Sequence, residues 1–260
     1  MNALIGDIGN TLTKICLLNT KNFKIIKVFY FNSKEINISN SLKKNLKKIF
    51  KNKSTSFCKV ALFSSVVPSY QIKLNNFLYN NYKIKLIEIK NKKLDKIIKI
   101  NIKNKKQVGS DRIANAVGVY KKYKNDCIVL DFGTATTFDV VTKSGVYNGG
   151  IIAPGVNLSI KSLIASADQI PAFSIKKQKK IIGKNTIEAL RSGFYWGYSG
   201  LINNIISKIE KETGKKYKII FTGGFANLFK TSIYRPFNID KNITIRGIIE
   251  IFKNNKKKLI

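Results

Sequence analysis

The chain opens with two apolar runs separated by a short polar turn. Residues 2–8 and 12–19 carry Leu4, Ile5, Ile8 and then Ile15, Cys16, Leu17, Leu18, with Gly9-Asn10 between them. This is the pattern of two strands joined in a hairpin. A third strand is expected over 23–31, Phe-Lys-Ile-Ile-Lys-Val-Phe-Tyr-Phe. In 41–51 the apolar residues Leu42, Leu46, Ile49 and Phe50 recur at helical spacing, with lysines opposite. That pattern fits a packed helix with a solvated back rather than a membrane-surface helix. A strand over 58–64, closed by Ser64-Ser65 and Pro68, a helix over 69–81 and strand structure near 84–89 follow. The lysine-rich stretch 90–106 has weak signals and is expected to be a loop over a cleft.

The second half repeats the theme. It predicts a helix over 113–124, strands over 126–131 and 137–142, and a turn at Gly145. A glycine-rich connection, Gly149 to Gly155, then enters a helix near 156–166. Asn185-Thr186-Ile187-Glu188 resembles a capping box, and a long helix runs from it to about Gly214. Gly193, Gly197 and Gly200 are positions at which another backbone is expected to come close to that helix. Lys218 to Thr222 reads as a strand, Gly223-Gly224 as a tight turn, and a helix is expected next.

Two of these strands end alike. Residues 4–11 read Leu-Ile-Gly-Asp-Ile-Gly-Asn-Thr, and residues 128–137 read Ile-Val-Leu-Asp-Phe-Gly-Thr-Ala-Thr-Thr. Asp7 and Asp131 lie 124 positions apart, so the motif occurs once per half. A strand ending in Asp puts a carboxylate at the sheet edge, where it can hold a hydrated cation. Glycine two residues later allows a tight turn. The next backbone N–H groups can then form an anion-binding nest, with the hydroxyls of Thr11, Thr134, Thr136 and Thr137 as further donors. Neither copy is a Walker loop or a Gly-x-Gly-x-x-Gly dinucleotide fingerprint. A duplicated phosphate-binding fold with the nucleotide between its halves is the expectation.

Composition narrows the classes. A chain of 260 residues that is 44% hydrophobic is long and apolar enough for a sizeable core. No run reaches membrane-spanning length, and no secretory signal pattern is read at the N-terminus. Cys16, Cys58 and Cys127 lie in apolar segments without Cys-x-x-Cys spacing, as expected of reduced thiols in a cytoplasmic protein. The absence of histidine excludes His-based acid–base catalysis and His metal ligands. The formal charge of +34 comes almost wholly from lysines spread along the chain; only Arg112, Arg191, Arg235 and Arg246 are arginine. Sequence-specific nucleic-acid readers cluster charge and use arginine for bidentate contacts. The dispersed lysines, mixed with Ile and Asn, point to compositional drift and to no specific nucleic-acid partner.

Gly109-Ser110-Asp111-Arg112 sets a carboxylate beside a guanidinium at an expected helix start. Asp111 could take a proton from a substrate hydroxyl, and Arg112 could bind an anionic group. Thr222-Gly223-Gly224 could let an adenosine lie against bare backbone.

Taken in order, Asp7-Ile-Gly-Asn-Thr11, Gly109-Ser-Asp-Arg112, Asp131-Phe-Gly-Thr-Ala-Thr136, Gly149-Gly-Ile-Ile-Ala-Pro-Gly155, Gly183-Lys-Asn-Thr186 and Thr222-Gly-Gly224 resemble the type III pantothenate kinases from end to end. That family belongs to the sugar kinase–actin–heat-shock ATPase superfamily. The resemblance implies an α/β fold of two ribonuclease H-like halves, residues 1–112 with the first phosphate loop and 113–260 with the second phosphate loop and the adenosine turn, and a nucleotide cleft between them. It implies ATP-dependent phosphorylation of pantothenate with magnesium and a monovalent cation, potassium or ammonium, in a cytoplasmic homodimer. Residue by residue, Asp7, Ile8, Gly9, Asn10, Thr11, Leu12, Thr13 and Lys14 would form the first phosphate loop, with Asp7 near magnesium through water. Thr134 would contact ATP and Asp131 would hold the monovalent cation. Gly109, Ser110, Asp111 and Arg112 would bind pantothenate, with Asp111 as proton acceptor and Thr186 reaching pantothenate across the dimer interface. Ser110 stands where the family usually has Ala. Ile102 and Lys105 occupy pocket positions where the family commonly carries an aromatic residue and a proline. The rival readings are another small-molecule kinase of the superfamily, or a non-catalytic regulatory or nucleic-acid-binding relative.

Overall fold

In the computed structural model, which describes residues 1–50 and 56–259, the N-terminal alternation folds as the hairpin expected. Strands β1 (Asn2–Ile8) and β2 (Leu12–Asn19) pair antiparallel, and β3 (Ile25–Asn32) adds antiparallel to β2. β1 is buried along most of its length, as a central strand should be, whereas β3 is largely exposed and forms the sheet edge. Helix α1 (Ser39–Lys47) turns Leu42 and Leu46 into the core. It ends short of the span read from the sequence, and 51–55, the end of that span included, lie outside the described residues. Strand β4 (Val60–Ser65) pairs parallel with β1. Helix α2 (Pro68–Tyr82) starts on a proline, whose fixed φ suits the first helical turn, and ends on Lys83 in the left-handed region at φ 56°. Strand β5 (Lys85–Glu88) pairs parallel with β4, so the sheet order is β3-β2-β1-β4-β5.

The stretch 90–106 is anchored more firmly than a free loop. Leu94, Ile97, Ile98 and Ile100 are buried, and β6 (Lys99–Ile100) pairs with Val146 and Tyr147. Its apolar residues follow two short patterns, Leu94-Ile97-Ile98 at helical spacing and Ile98-Ile100-Ile102 in alternation, each too brief to announce an element. Helix α3 (Ser110–Tyr123) begins three residues earlier than the sequence suggested, which places Ser110, Asp111 and Arg112 in its first turn.

A second sheet repeats the first. Strands β7 (Cys127–Phe132) and β8 (Ala135–Val141) are antiparallel, and β9 (Val146–Pro154) is the next neighbour of β8. The glycine-rich run expected as a connection is thus the end of a strand; Gly149, at φ 91°, is accommodated within it. Helices α4 (Val156–Ser166) and α5 (Thr186–Thr213) follow, the latter closed by Gly214 at φ 66°. Strands β10 (Lys218–Gly223) and β11 (Phe237–Ile239) run parallel to β7, and β6 pairs parallel with the start of β9, giving the six-stranded order β11-β10-β7-β8-β9-β6. Leaving aside β6 at the edge of the second sheet, each sheet has a β-hairpin plus a third strand on one side and two parallel strands on the other. That is the ribonuclease H-like arrangement, present twice. No helix follows the Gly223-Gly224 turn; residues 225–235 are turns and bends. Around Gly193, Gly197 and Gly200 a Cβ would meet nothing within 4 Å, so no close backbone approach occurs at these glycines among the described residues.

By contact, the chain forms two compact units: residues 1–123, 144–147 and 242–260, and residues 124–143 and 148–241. The first unit takes in α6 (Ile243–Asn254) and α7 (Lys256–Leu259). In α6 seven residues, five of them isoleucine, are buried, and burial outweighs the poor helix propensity of β-branched side chains. α6 packs on α3 through two glycines: a Cβ on Gly247 would overlap the Ala114 carbonyl, and one on Gly118 would overlap that of Ile243. The core of the first unit gathers Leu4, Ile15, Phe63 and Leu74; that of the second gathers Leu130, Phe138, Ile202 and Phe221. No helix among the described residues is long and apolar enough to cross a membrane.

Candidate active site

Asp7 sits one residue from the end of β1, half-buried, opposite Lys14 of β2 and Ser64 of β4. Pairing on both sides fixes the strand, so the carboxylate is delivered at the sheet edge. The turn after it is closed by the Gly9 N–H donating to the Leu12 carbonyl at 3.1 Å, which leaves Asn10, Thr11 and Leu12 exposed. Ile8 is fully buried, and Thr13 is buried with its Oγ1 2.8 Å from Ser33 Oγ. Lys14 Nζ donates to Asn242 Oδ1 at 2.8 Å and lies 5.4 Å from the Tyr30 ring centre.

The start of α3 concentrates the chemistry. Asp111 Oδ1 accepts the Arg112 backbone N–H at 2.8 Å. Gly109 is needed for this: a Cβ there would stand 2.5 Å from Asp111 Oδ1. Burial raises the Asp111 carboxyl above its ordinary range, against the downward pull of the Arg112 N–H and guanidinium and of Lys90. Arg112 Cζ lies 6.0 Å from the ring centre of buried Tyr147. Ser110 is buried, and its Oγ donates to the Ser65 carbonyl at 2.7 Å and accepts the Ser65 N–H at 2.8 Å. The Ser110 hydroxyl thus ties the motif to the end of β4. Gly109 is partly exposed, as is Ile102, while Lys105 is exposed in a 3-10 turn, Lys105–Gln107.

The second unit repeats the edge geometry. Asp131 sits one residue from the end of β7, half-buried, opposite Thr137 of β8 and Thr222 of β10. In both units, therefore, the Asp faces a hydroxyl residue on the neighbouring parallel strand, Ser64 or Thr222. Gly133 N–H donates to the Ala135 carbonyl at 3.1 Å, and Thr134 is exposed on the turn. Two glycines make room around this turn. A Cβ on Gly223, at φ 83°, would stand 2.7 Å from Asp131 Oδ1, and one on Gly155 would overlap the Thr134 carbonyl. Thr136 Oγ1 is buried without a hydrogen-bond partner. Thr186 is exposed at the first turn of α5, where Asn185 Oδ1 accepts the Glu188 N–H at 2.9 Å. The reciprocal half of the capping box is displaced by one residue, with Glu188 Oε2 accepting from Lys184 N–H at 2.8 Å.

Among the described residues no three His, Cys, Asp or Glu side chains cluster as a ready-made cation cage. Single carboxylates on strand ends suit cations that keep most of their shell in water and phosphate oxygens. Sequence reading missed the Ser65–Ser110 tie, Glu88, Lys90, and Gly155 as a buttress. The small hydroxyl residues at the end of β4 were its one available signal, since they match Thr222 at the end of β10.

The sequence profile of the type III pantothenate kinases matches residues 3–208. The chain belongs to the type III pantothenate kinase family. It is 51% identical over 246 residues to the type III pantothenate kinase of Pelagibacter ubique (strain HTCC1062), covering 95% of this chain and 96% of that one. Identity to the type III pantothenate kinase of Paramagnetospirillum magneticum (strain ATCC 700264 / AMB-1) is 38% over 195 residues, 75% of each chain. Among solved structures, a Campylobacter jejuni protein described as a Baf family transcriptional activator superposes with TM-score 0.61 at 21% identity, covering 98% of this chain and 99% of that one. The Clostridium difficile activator of 2-hydroxyisocaproyl-CoA dehydratase, solved with ADPNP, gives TM-score 0.56 at 12% identity, covering 99% and 97%. At such identities the likeness speaks to fold alone, that of the actin-like ATPases and sugar kinases.

Proposed function

We propose that this pantothenate kinase family member transfers the γ-phosphoryl group of ATP to the primary hydroxyl of pantothenate, giving 4'-phosphopantothenate, the first step of coenzyme A biosynthesis. Family membership over residues 3–208 supports the reaction. The observation that carries the chemistry is the first turn of α3, where Asp111, held by the Arg112 N–H, sits beside a guanidinium. Asp111 takes the hydroxyl proton as the oxygen attacks phosphorus in line. Its raised proton affinity suits a general base, while Arg112 binds the pantothenate carboxylate. Gly109 and Ser110 shape the same pocket, with Ile102 at its rim.

Asp7 and the loop through Lys14 receive the phosphates, as does Thr134 of the second turn. Asp7 fits magnesium held through water. Asp131 fits potassium or ammonium, because the missing Cβ of Gly223 leaves room beside its Oδ1. Bound, these cations offset phosphate charge, and positioning and electrostatics then supply most of the rate. Thr186 reaches the pantothenate of a partner copy in a homodimer. Exposed apolar residues in the same unit, Ile151, Ile152, Leu158, Ile181 and Ile182, support such an interface. The site of action is the cytoplasm.

A coupled assay with ATP, magnesium and pantothenate tests the reading, run in potassium, ammonium and then sodium. Turnover is expected with pantothenate and with the first two ions; preferential turnover of a hexose would end the assignment. Asp111→Asn is expected to lower turnover by about 10²–10⁴-fold while ATP still binds. Wild-type turnover in Asp111→Asn would falsify the role of that carboxylate.

A further inference from the structure

Lys90, which belongs to no motif, is tied to the entry of the catalytic helix. It lies in a 3-10 turn, Ile89–Asn91, directly after β5. Its backbone N–H donates to Glu88 Oε2 at 2.8 Å, which fixes the start of the turn. Its ammonium donates to the carbonyls of Lys106 at 3.2 Å and Val108 at 3.1 Å. Val108 immediately precedes Gly109, so this ammonium holds the chain where it enters α3. The turn also packs against α3 itself. Most lysines on a surface this basic gain nothing from being fixed, since ordering so flexible a side chain costs about 1.5–2 kcal/mol. An ammonium bound to two carbonyls two residues apart is a held group.

We propose that Lys90 is a positioning residue for phosphoryl transfer: its ammonium, held on the Lys106 and Val108 carbonyls, fixes the approach to Gly109 and keeps a positive charge in the neighbourhood of Asp111. The proposal rests on the reading of Asp111 as general base. The charged groups near that base can be named. Arg112 is on its own helix, Lys90 on the 3-10 turn, and Glu88, buried, on β5. β4 contributes no titratable side chain, and α6 carries Arg246, Glu250 and Lys253. Of these, Arg112 and Lys90 are the charges that draw the Asp111 proton affinity down against burial.

A general base works deprotonated, so kcat/KM rises with pH through its pKa. Removing a positive charge beside it favours the protonated form and carries the acid limb to higher pH. The experiment compares full-length wild type with Lys90→Met, Lys90→Arg and Asp111→Asn, each checked for an unchanged thermal transition. Expected are a loss of kcat on the order of tenfold in Lys90→Met, as for a modest misplacement of a reacting group, and an acid limb of kcat/KM displaced upward. Lys90→Arg, which keeps the charge, restores both. An acid limb that stays in place in Lys90→Met, or that moves equally in Lys90→Arg, overturns the proposal whatever happens to kcat. If Asp111→Asn is inactive in that same series, the reading of the base survives and only the role of Lys90 falls. If Asp111→Asn retains turnover, both fall together.

Discussion

Asp111 and Glu88 are two carboxyls of the first unit raised by the same cause, burial, and used differently. Asp111 has Gly109 open beside it and a guanidinium next to it, as a reacting group requires. Glu88 is 7% exposed and spends its carboxylate on the Lys90 N–H. Burial raises its pKa against the pull of the Lys90 N–H and ammonium and of the Ser110 hydroxyl. A folded-state pKa above the unfolded one gives stability that is full below the unfolded value and lost as pH rises through the folded value. Glu88→Gln keeps an oxygen to accept the Lys90 N–H and removes the charge. Relative to the variant, wild type should therefore be best placed at acid pH and lose ground as pH climbs from the ordinary carboxylate range through the raised value. Denaturant midpoints of both proteins across that range check it; a gap independent of pH would show that Glu88 has the same pKa folded and unfolded, and that burial does not raise it. Ser110 adds a second lesson at this scale. One hydroxyl, exchanged with both the N–H and the carbonyl of Ser65, converts a helix start into a fixed one.

At the scale of elements, the sharpest constraint is the end of β10. Gly223 has φ 83°, and a Cβ there would stand 2.6 Å from the backbone N and O of Phe132 as well as 2.7 Å from Asp131 Oδ1. Gly223→Ala thus combines backbone strain with overlap and should cost about 2–4 kcal/mol. Under the cation role proposed for Asp131, it should also displace that carboxylate and raise the monovalent-cation concentration needed for half-maximal activity. Gly214→Ala is the control, because Gly214 has φ 66° but nothing within 4 Å of an added Cβ. It should cost only the strain, about 1 kcal/mol, and leave the cation requirement alone. Chemical denaturation and cation titration of both variants separate the two effects. The elements themselves were legible where one period governed them: the β1–β2 hairpin, α2 and β7 follow from alternation, apolar runs and punctuation. The end of β9 was not, because its glycines carry no strand signal and its pairing with β8 decides. The helix expected after Gly224 does not form although Phe225, Leu228 and Phe229 stand at helical spacing, because core packing of Ala226 and Phe229 overrides the local pattern. The site divides in the same way. Asp7, Asp111 and Asp131 stand in contiguous motifs and could be read directly. Ser65–Ser110 and Lys90–Val108 are contacts across 45 and 18 positions, which no local pattern encodes.

At the scale of the whole molecule, the formal charge of +34 calls for an account that the kinase chemistry does not require. The pocket chemistry uses few cations, and the remaining lysines are spread along the chain through both units. A dispersed ammonium field attracts any polyanion by releasing its condensed counterions, with an affinity that falls steeply with salt. Lysine ammoniums, unlike arginine forks, give no bidentate reading of base edges. Binding to double-stranded DNA should therefore be measurable at low salt, equal for unrelated sequences, and lost by about 0.15 M salt, where the screening length shrinks to about 8 Å. Saturating ATP and pantothenate should leave that weak binding largely unchanged, because most of the charge lies outside the proposed pocket. Fluorescence anisotropy with two unrelated duplexes over a salt series is the measurement. Retention of one duplex over the other at physiological salt would mean that the lysines are placed for a partner, and would revive a regulatory role for this fold beside its phosphoryl transfer.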